Sequence, residues 1–258
     1  MKRVPDVKKL PGVVGMLGVL GFVLRFVLYL IAVDEKNLLL RTHPLEWALA
    51  LLTALTAVLV LVPVSRLEDA RRYEHNFGAS SIGALGSFAF GAAVLLTVLG
   101  AGLPGSRLEL ALQGTGLLAA GSLVWLGVCR WRGEKPFFLL PCAVCVYLAM
   151  FMITHYQSWS SNPQLQDYVF QLLAAVCFAL FAYEHAAVSL DQGRSRRLLA
   201  AGLLGFFGAV VALAHTREGL IYLTGAVWCL TNLASPEPAP EAEPSGEAEA
   251  QEEREEAP

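Results

Sequence analysis

Eight stretches of this chain are long and apolar, and they leave room for few folds. A bilayer core of roughly 30 Å takes about 20 apolar residues as helix. Runs at about 11–33, 44–64, 78–103, 108–129, 137–154, 165–189, 198–215 and 219–234 approach or exceed that length. The last is short and the third long, so seven helices is the alternative count. No run alternates apolar and polar residues as a membrane β-strand does. With no water at the bilayer core to satisfy backbone groups, helices remain. The expected fold is all-α, a polytopic integral membrane helix bundle over residues 1–234.

Composition supports this. Of 258 residues, 55% are hydrophobic and 16% charged, against about a quarter charged in a soluble domain. Nine of the 22 acidic residues fall in 235–258, which leaves 18 Lys+Arg and 13 Asp+Glu on the body, a net of +5. An apolar, mildly basic body excludes a soluble globular enzyme, a nucleic-acid binder and a secreted disulfide scaffold. Residues 235–258 hold five Pro and nine Glu. Such a segment has too little apolar surface to repay its ordering entropy, so a disordered, solubilising cytoplasmic tail is expected. A docking segment for a basic partner is the other reading.

The loops predict an orientation. Lys2, Arg3, Lys8 and Lys9 precede the first run. Arg66, Arg71 and Arg72 fall on the same side, as do Arg130, Arg132 and Lys135, and then Arg194, Arg196 and Arg197. The other side holds Lys36, Arg41, Arg107 and Arg217. Positive residues favour the cytoplasm. Both termini are therefore expected there, in a cell membrane, and the alternation itself favours eight helices over seven. The basic start resembles that of a signal peptide, but the first run is too long and no small-residue cleavage site follows. Glu68 and Arg72, four apart, predict that the second loop prolongs one of its flanking helices.

Ionisable residues within membrane helices are candidate functional groups because burying them is costly. Arg25 lies past the middle of the first run. Glu46 and Asp167 lie near the outer ends of the second and sixth, within reach of a long Arg side chain directed outward. Gln171 sits one turn below Asp167, and with Gln164 and Tyr168 it makes a polar stripe at helical spacing. A packing ion pair is one reading; a solute site or proton relay is the other. Glu184, in the inner half of the sixth run, suits a pair with Arg194, Arg196 or Arg197, or a proton path.

The loop from His155 to Gln164 is the most polar of the outer ones. Ser161 or Asn162 can cap the following helix, with Pro163 in its first turn. The loop reads as a capped, aromatic-belted connection, or as a lid over a site near Asp167. The pair Pro163-Gln164 resembles one of the two motifs of the PQ-loop transporters, and the chain has no second. His43, His155 and His215 fall near outer helix ends, with Glu46 and Glu218 three positions after two of them. Without His-x-x-x-His spacing on one helix, no metal is expected. Cys142 and Cys145 share one face of the fifth run. No outer loop holds the cysteines that a membrane thiol oxidoreductase exchanges electrons with, so they read as small apolar residues. Glycines at 12, 15, 18 and 21, and at 202, 205 and 208, predict close helix packing.

No nucleotide, hydrolase or metalloprotease motif occurs, so no cofactor is expected and the balance leans away from an enzyme. The leading reading is a carrier of a small solute or ion, with a polar cluster in the outer half of the bundle. The bilayer is one partner. A sensor, or a subunit docked on another membrane protein, is the alternative, and an intramembrane enzyme the third. A deep polar cavity ending at Arg25 would favour a carrier, and a solid core with a lipid-facing groove a subunit.

Overall fold

The structure is a computed structural model, and it describes residues 9–31, 43–67, 73–159, 168–216 and 218–233. Among them there are helices and no strand. In chain order they are α1 (Leu10–Ile31), α2 (Pro44–Ser65), α3 (Tyr73–Asn76), α4 (Ser81–Gly100), α5 (Arg107–Arg132), α6 (Leu139–Trp159), α7 (Val169–Ser189), α8 (Ser195–Ala212) and α9 (Gly219–Leu233). Seven are long and apolar enough to cross a membrane. The chain is an all-α, multi-pass membrane bundle. The eighth long element, α9, has 15 residues. At 1.5 Å per residue it covers about 22 Å, less than the hydrocarbon core. It packs between α4 and α8.

Local sequence explains the helix ends. Pro44 opens α2 behind His43, whose side chain accepts from the Leu45 N–H. The Ser80 hydroxyl accepts from Gly83 N–H at the start of α4. At α5, Ser106 accepts from Glu109 N–H, and Glu109 reaches back to Gly105 N–H at 2.7 Å. This is close to the reciprocal cap that Ser-x-x-Glu encodes, with the return bond one residue earlier. Gly133, at φ 73°, closes α5 in the left-handed conformation that suits glycine.

Six helices close into a ring. Each of α4, α5, α6, α7, α8 and α9 packs on the next, and α9 returns to α4. The ring interior is filled. Phe90 of α4 stacks on Trp228 of α9 with centroids 5.2 Å apart, and Phe181 of α7 meets the same indole edge-on at 4.8 Å. In lipid, association rests on this close packing and its dispersion, since lipid tails are as apolar as leucine. The remaining pair, α1 and α2, lies outside the ring and packs on α8. It has a separate aliphatic core of Val14, Leu49, Val60 and Val64 against Leu203, Phe207 and Val211.

The second loop corrects an expectation. Among the described residues it prolongs neither neighbouring helix. After α2 the chain turns at Arg66 and Leu67, and α3 is a separate single turn followed by a non-helical segment, 77–80. The cause is tertiary. Tyr73 and Phe77 are buried in the ring core, and Arg130 clamps the segment twice. Its guanidinium donates to Gly78 O, and its carbonyl accepts from Ser80 N–H at 2.9 Å. Glu68 and Arg72, which carried the expectation, lie outside the described residues.

Candidate functional site: a cleft at Arg25

Arg25 is 2% exposed although it sits on the peripheral pair. Its guanidinium lies over the Phe170 ring of α7 at 4.9 Å and over Tyr29 at 5.7 Å. One nitrogen donates to Val211 O of α8 at 3.5 Å. That carbonyl belongs to the last turn of α8, where the helix dipole attracts a cation. The side chain thus ties α1 to both α7 and α8.

A cleft of 440 Å³ opens beside it, walled by α1, α2 and α7, within the roughly 300–1,000 Å³ of small-molecule sites. Its walls are mostly aliphatic or aromatic, with Leu28, Leu49, Phe170 and Leu173 among them. Arg25, Tyr29, Glu46 and Thr53 bring the polar atoms. The Thr53 hydroxyl is spent on Leu49 O of its own helix. Glu46 is different: its Oε2 is buried and has no hydrogen-bond partner. A buried carboxylate oxygen left unmatched is costly. The cleft therefore brings together a cation and an unmatched acceptor between apolar walls.

The other candidates distribute as follows. Asp167, Gln164 and the expected caps Ser161, Asn162 and Pro163 lie outside the described residues; α7 as described starts at Val169. Gln171 is buried, but it does not line the cleft. Its Nε2 donates to His215 O at 2.8 Å, so it holds the 3-10 turn Leu213–His215 that ends α8. His155 pairs across the ring, its Nε2 lying 2.6 Å from Glu218 Oε1. His43 is a helix cap. Glu184 lies at the opposite end of the bundle. It accepts from the Arg194 N–H at 3.2 Å and lies 3.6 Å from the Arg197 guanidinium, favourable for an anion at the start of α8. The five cysteines are free; Cys142 and Cys145 are half-buried on α6.

Two features escaped sequence reasoning. Arg130 reads as one more loop charge, yet it is 2% exposed. It lies over Phe77 at 4.8 Å, and Phe77 stacks on His185. Its Nε and Nη2 have no partner. The signal was present: Ala119, Leu123, Leu126 and Arg130 follow helical spacing, and all four are buried. Beside this cluster, burial pushes the Tyr73 hydroxyl up to about 12, against the opposing pull of Arg130. Asp191 accepts from the Tyr73 N–H at 2.9 Å and pairs with Lys135. The second missed feature, the pairing of His155 with Glu218, joins residues that no local spacing connects.

Among the described residues no group of three or more His, Cys, Asp or Glu side chains is placed to hold a metal. No protein-family model matches the chain, and no curated protein or solved structure matches it.

Proposed function

We propose that the protein is a membrane carrier whose solute site is the Arg25 cleft. The solute is a small, largely apolar molecule bearing an acidic group for Arg25 and a hydrogen-bond donor for Glu46. The observation that carries this reading is the unmatched, buried Glu46 oxygen in the same cleft as a buried arginine. Apolar walls with a few convergent polar groups are the usual form of such sites. The filled ring offers no path of its own. Movement of the solute therefore requires the α1–α2 pair to shift against α8, where the contact is made by glycines, aliphatic side chains and the rings of Phe206 and Phe207.

The test uses purified protein and a panel of leucine, phenylalanine, octanoate and choline, read by thermal unfolding. A ligand at a hundredfold its Kd stabilises by about 2.7 kcal/mol. Phenylalanine or leucine should raise the melting temperature of the natural chain and fail to do so with Ala54→Phe, which fills the cleft, or with Arg25→Ala. A shift of equal size in Ala54→Phe would place binding elsewhere. Uptake of the stabilising compound into proteoliposomes then separates a carrier from a receptor. The second reading, a sensor or subunit, is favoured by the filled ring, and binding without uptake would establish it.

We further propose that the cleft lies in the extracytoplasmic half of a cell membrane. The support is the excess of Lys and Arg at the Arg130 end. Cysteine at Leu103, which is 98% exposed, should react with an impermeant maleimide on intact cells. Cysteine at Glu134 should react only after permeabilisation. The reverse pattern would invert the topology.

A further inference from the structure

His155 and Glu218 do not line the cleft, and their contact has its own chemistry. His155 Nδ1 lies 2.8 Å from Phe151 O. A carbonyl only accepts, so Nδ1 carries a hydrogen. The neutral ring then presents a bare lone pair at Nε2, and an ionised carboxylate is likewise only an acceptor. Two acceptors do not rest 2.6 Å apart. The contact between Nε2 and Glu218 Oε1 requires one proton between them, whichever atom holds it. The pair is in a proton-occupied state.

Its surroundings favour keeping that state uncharged overall. Glu218 Oε2 and the Tyr222 hydroxyl are buried without partners, so removal of the proton would leave a net negative charge in a poorly solvated place. The titratable and charged groups acting on Glu218 and Tyr222 are Tyr147 from α6 and Arg25 from α1. Gln171 from α7 and His215 from the end of α8 border the same segment.

That segment is short and shared. Glu218 follows the 3-10 turn Leu213–His215 and is fixed by its N–H donating to Thr216 Oγ1 at 3.2 Å. Gln171 holds the His215 carbonyl from the other side. The His215 ring stacks on Tyr29 with centroids 4.0 Å apart, and Tyr29 is a wall of the Arg25 cleft. The carboxylate of the pair and a wall of the cleft are thus close in the chain, Glu218 following soon after the turn Leu213–His215.

We infer that His155 and Glu218 form a proton-binding site coupled to the Arg25 cleft through the turn Leu213–His215, so that the proton is the coupling ion of the solute site. The coupling rests on the cleft being that site; the proton site does not. With the proton in place, α6 and the start of α9 are bridged, and the turn behind Tyr29 is held. When pH rises and the proton leaves to water, the two acceptors repel, the bridge opens and the cleft wall loosens. Stability contributed by the bridge is present at low pH and lost as pH rises.

Hydrogen exchange of the full-length protein in nanodiscs at pH 6 and pH 9, corrected for intrinsic rates, tests this without any ligand. Peptides covering 213–219 and the α1 segment around Tyr29 should exchange about three- to tenfold faster at pH 9, the effect of losing one hydrogen bond. Glu218→Gln keeps a hydrogen-bonding partner for His155 without titrating, and its protection should be the same at both pH values. If that variant does not fold, His155→Gln serves for the same comparison. Equal protection of the natural chain at both pH values, or an unchanged pH response in the variant, overturns the proton site. A response at 213–219 that does not extend to Tyr29 overturns the coupling. Should Ala54→Phe leave ligand stabilisation intact while both peptides respond, the solute reading fails and the proton-linked segment stands.

Discussion

The ring of α4–α9 and the α1–α2 pair are both built from apolar helices, but they are held together differently. In the ring, large aromatic side chains interlock with notches left by glycine. Phe178 fills the space at Gly225, where a Cβ would lie 2.4 Å from the ring edge. Polar groups secure both ends, with Arg130 on Gly78 and Ser80 at one and His155 on Glu218 at the other. The pair meets the ring through a mainly aliphatic seam on α8 that includes Phe207, through the buried Arg25 over Phe170, and through Tyr29 stacked on His215. Stability in this molecule is concentrated in the ring. The adjustable surface, with the cleft, lies where the pair meets it.

Overfilling the ring is expected to have the largest effect. Gly225→Leu would drive a side chain into Phe178, which itself packs on Phe90 and has no open space to enter. Overpacking of a tight core costs about 1–3 kcal/mol and sometimes more. We expect Gly225→Leu at or beyond the upper end, visible as loss of folded protein or a large drop in melting temperature in detergent. A variant with near-normal melting would mean that the ring is no tighter than the pair.

The helices themselves, though not this division, are legible in the sequence, for a physical reason. The eight apolar runs correspond to the eight long helices because a membrane span is set by local length and hydrophobicity. The last run is the shortest of the eight, and its helix, α9, has 15 residues. Arg25 and Glu46 stood out because a charge inside or beside an apolar run is rare. What could not be read depends on segments distant in the chain. Glu218 was associated with His215 by spacing, whereas its partner is His155, sixty-three positions earlier. Gln171, which helical spacing puts on a polar stripe below Asp167, serves the 213–215 turn. Arg130 was misread for a different reason: counting loop charges assigned it to a surface, although its position in the helical pattern of α5 pointed inward.

The smallest expected effect concerns the seam itself. Gly12, Gly15, Gly18 and Gly21 read as one uniform packing stripe, but the structure grades them. A Cβ at Gly12 would meet nothing within 4 Å; at Gly15 it would lie 3.9 Å from Phe206, at Gly18 3.5 Å from Val210, and at Gly21 2.7 Å from Val211. Helices α1 and α8 therefore converge along the stripe and approach closest one turn before Arg25. Gly21→Leu should cost about 1–3 kcal/mol and weaken ligand stabilisation as well, because it wedges the pair away from α8 beside the cleft. Gly18→Leu should fall between the extremes. Gly12→Leu should change the melting temperature little. It meets no neighbour, and it replaces a residue about 0.8–1.0 kcal/mol poorer than Ala in a helix with a good helix former. Melting curves of the three variants should rank in that order. Equal losses at all three would mean that α1 lies flat against α8, leaving no tight point near Arg25 about which the pair could pivot.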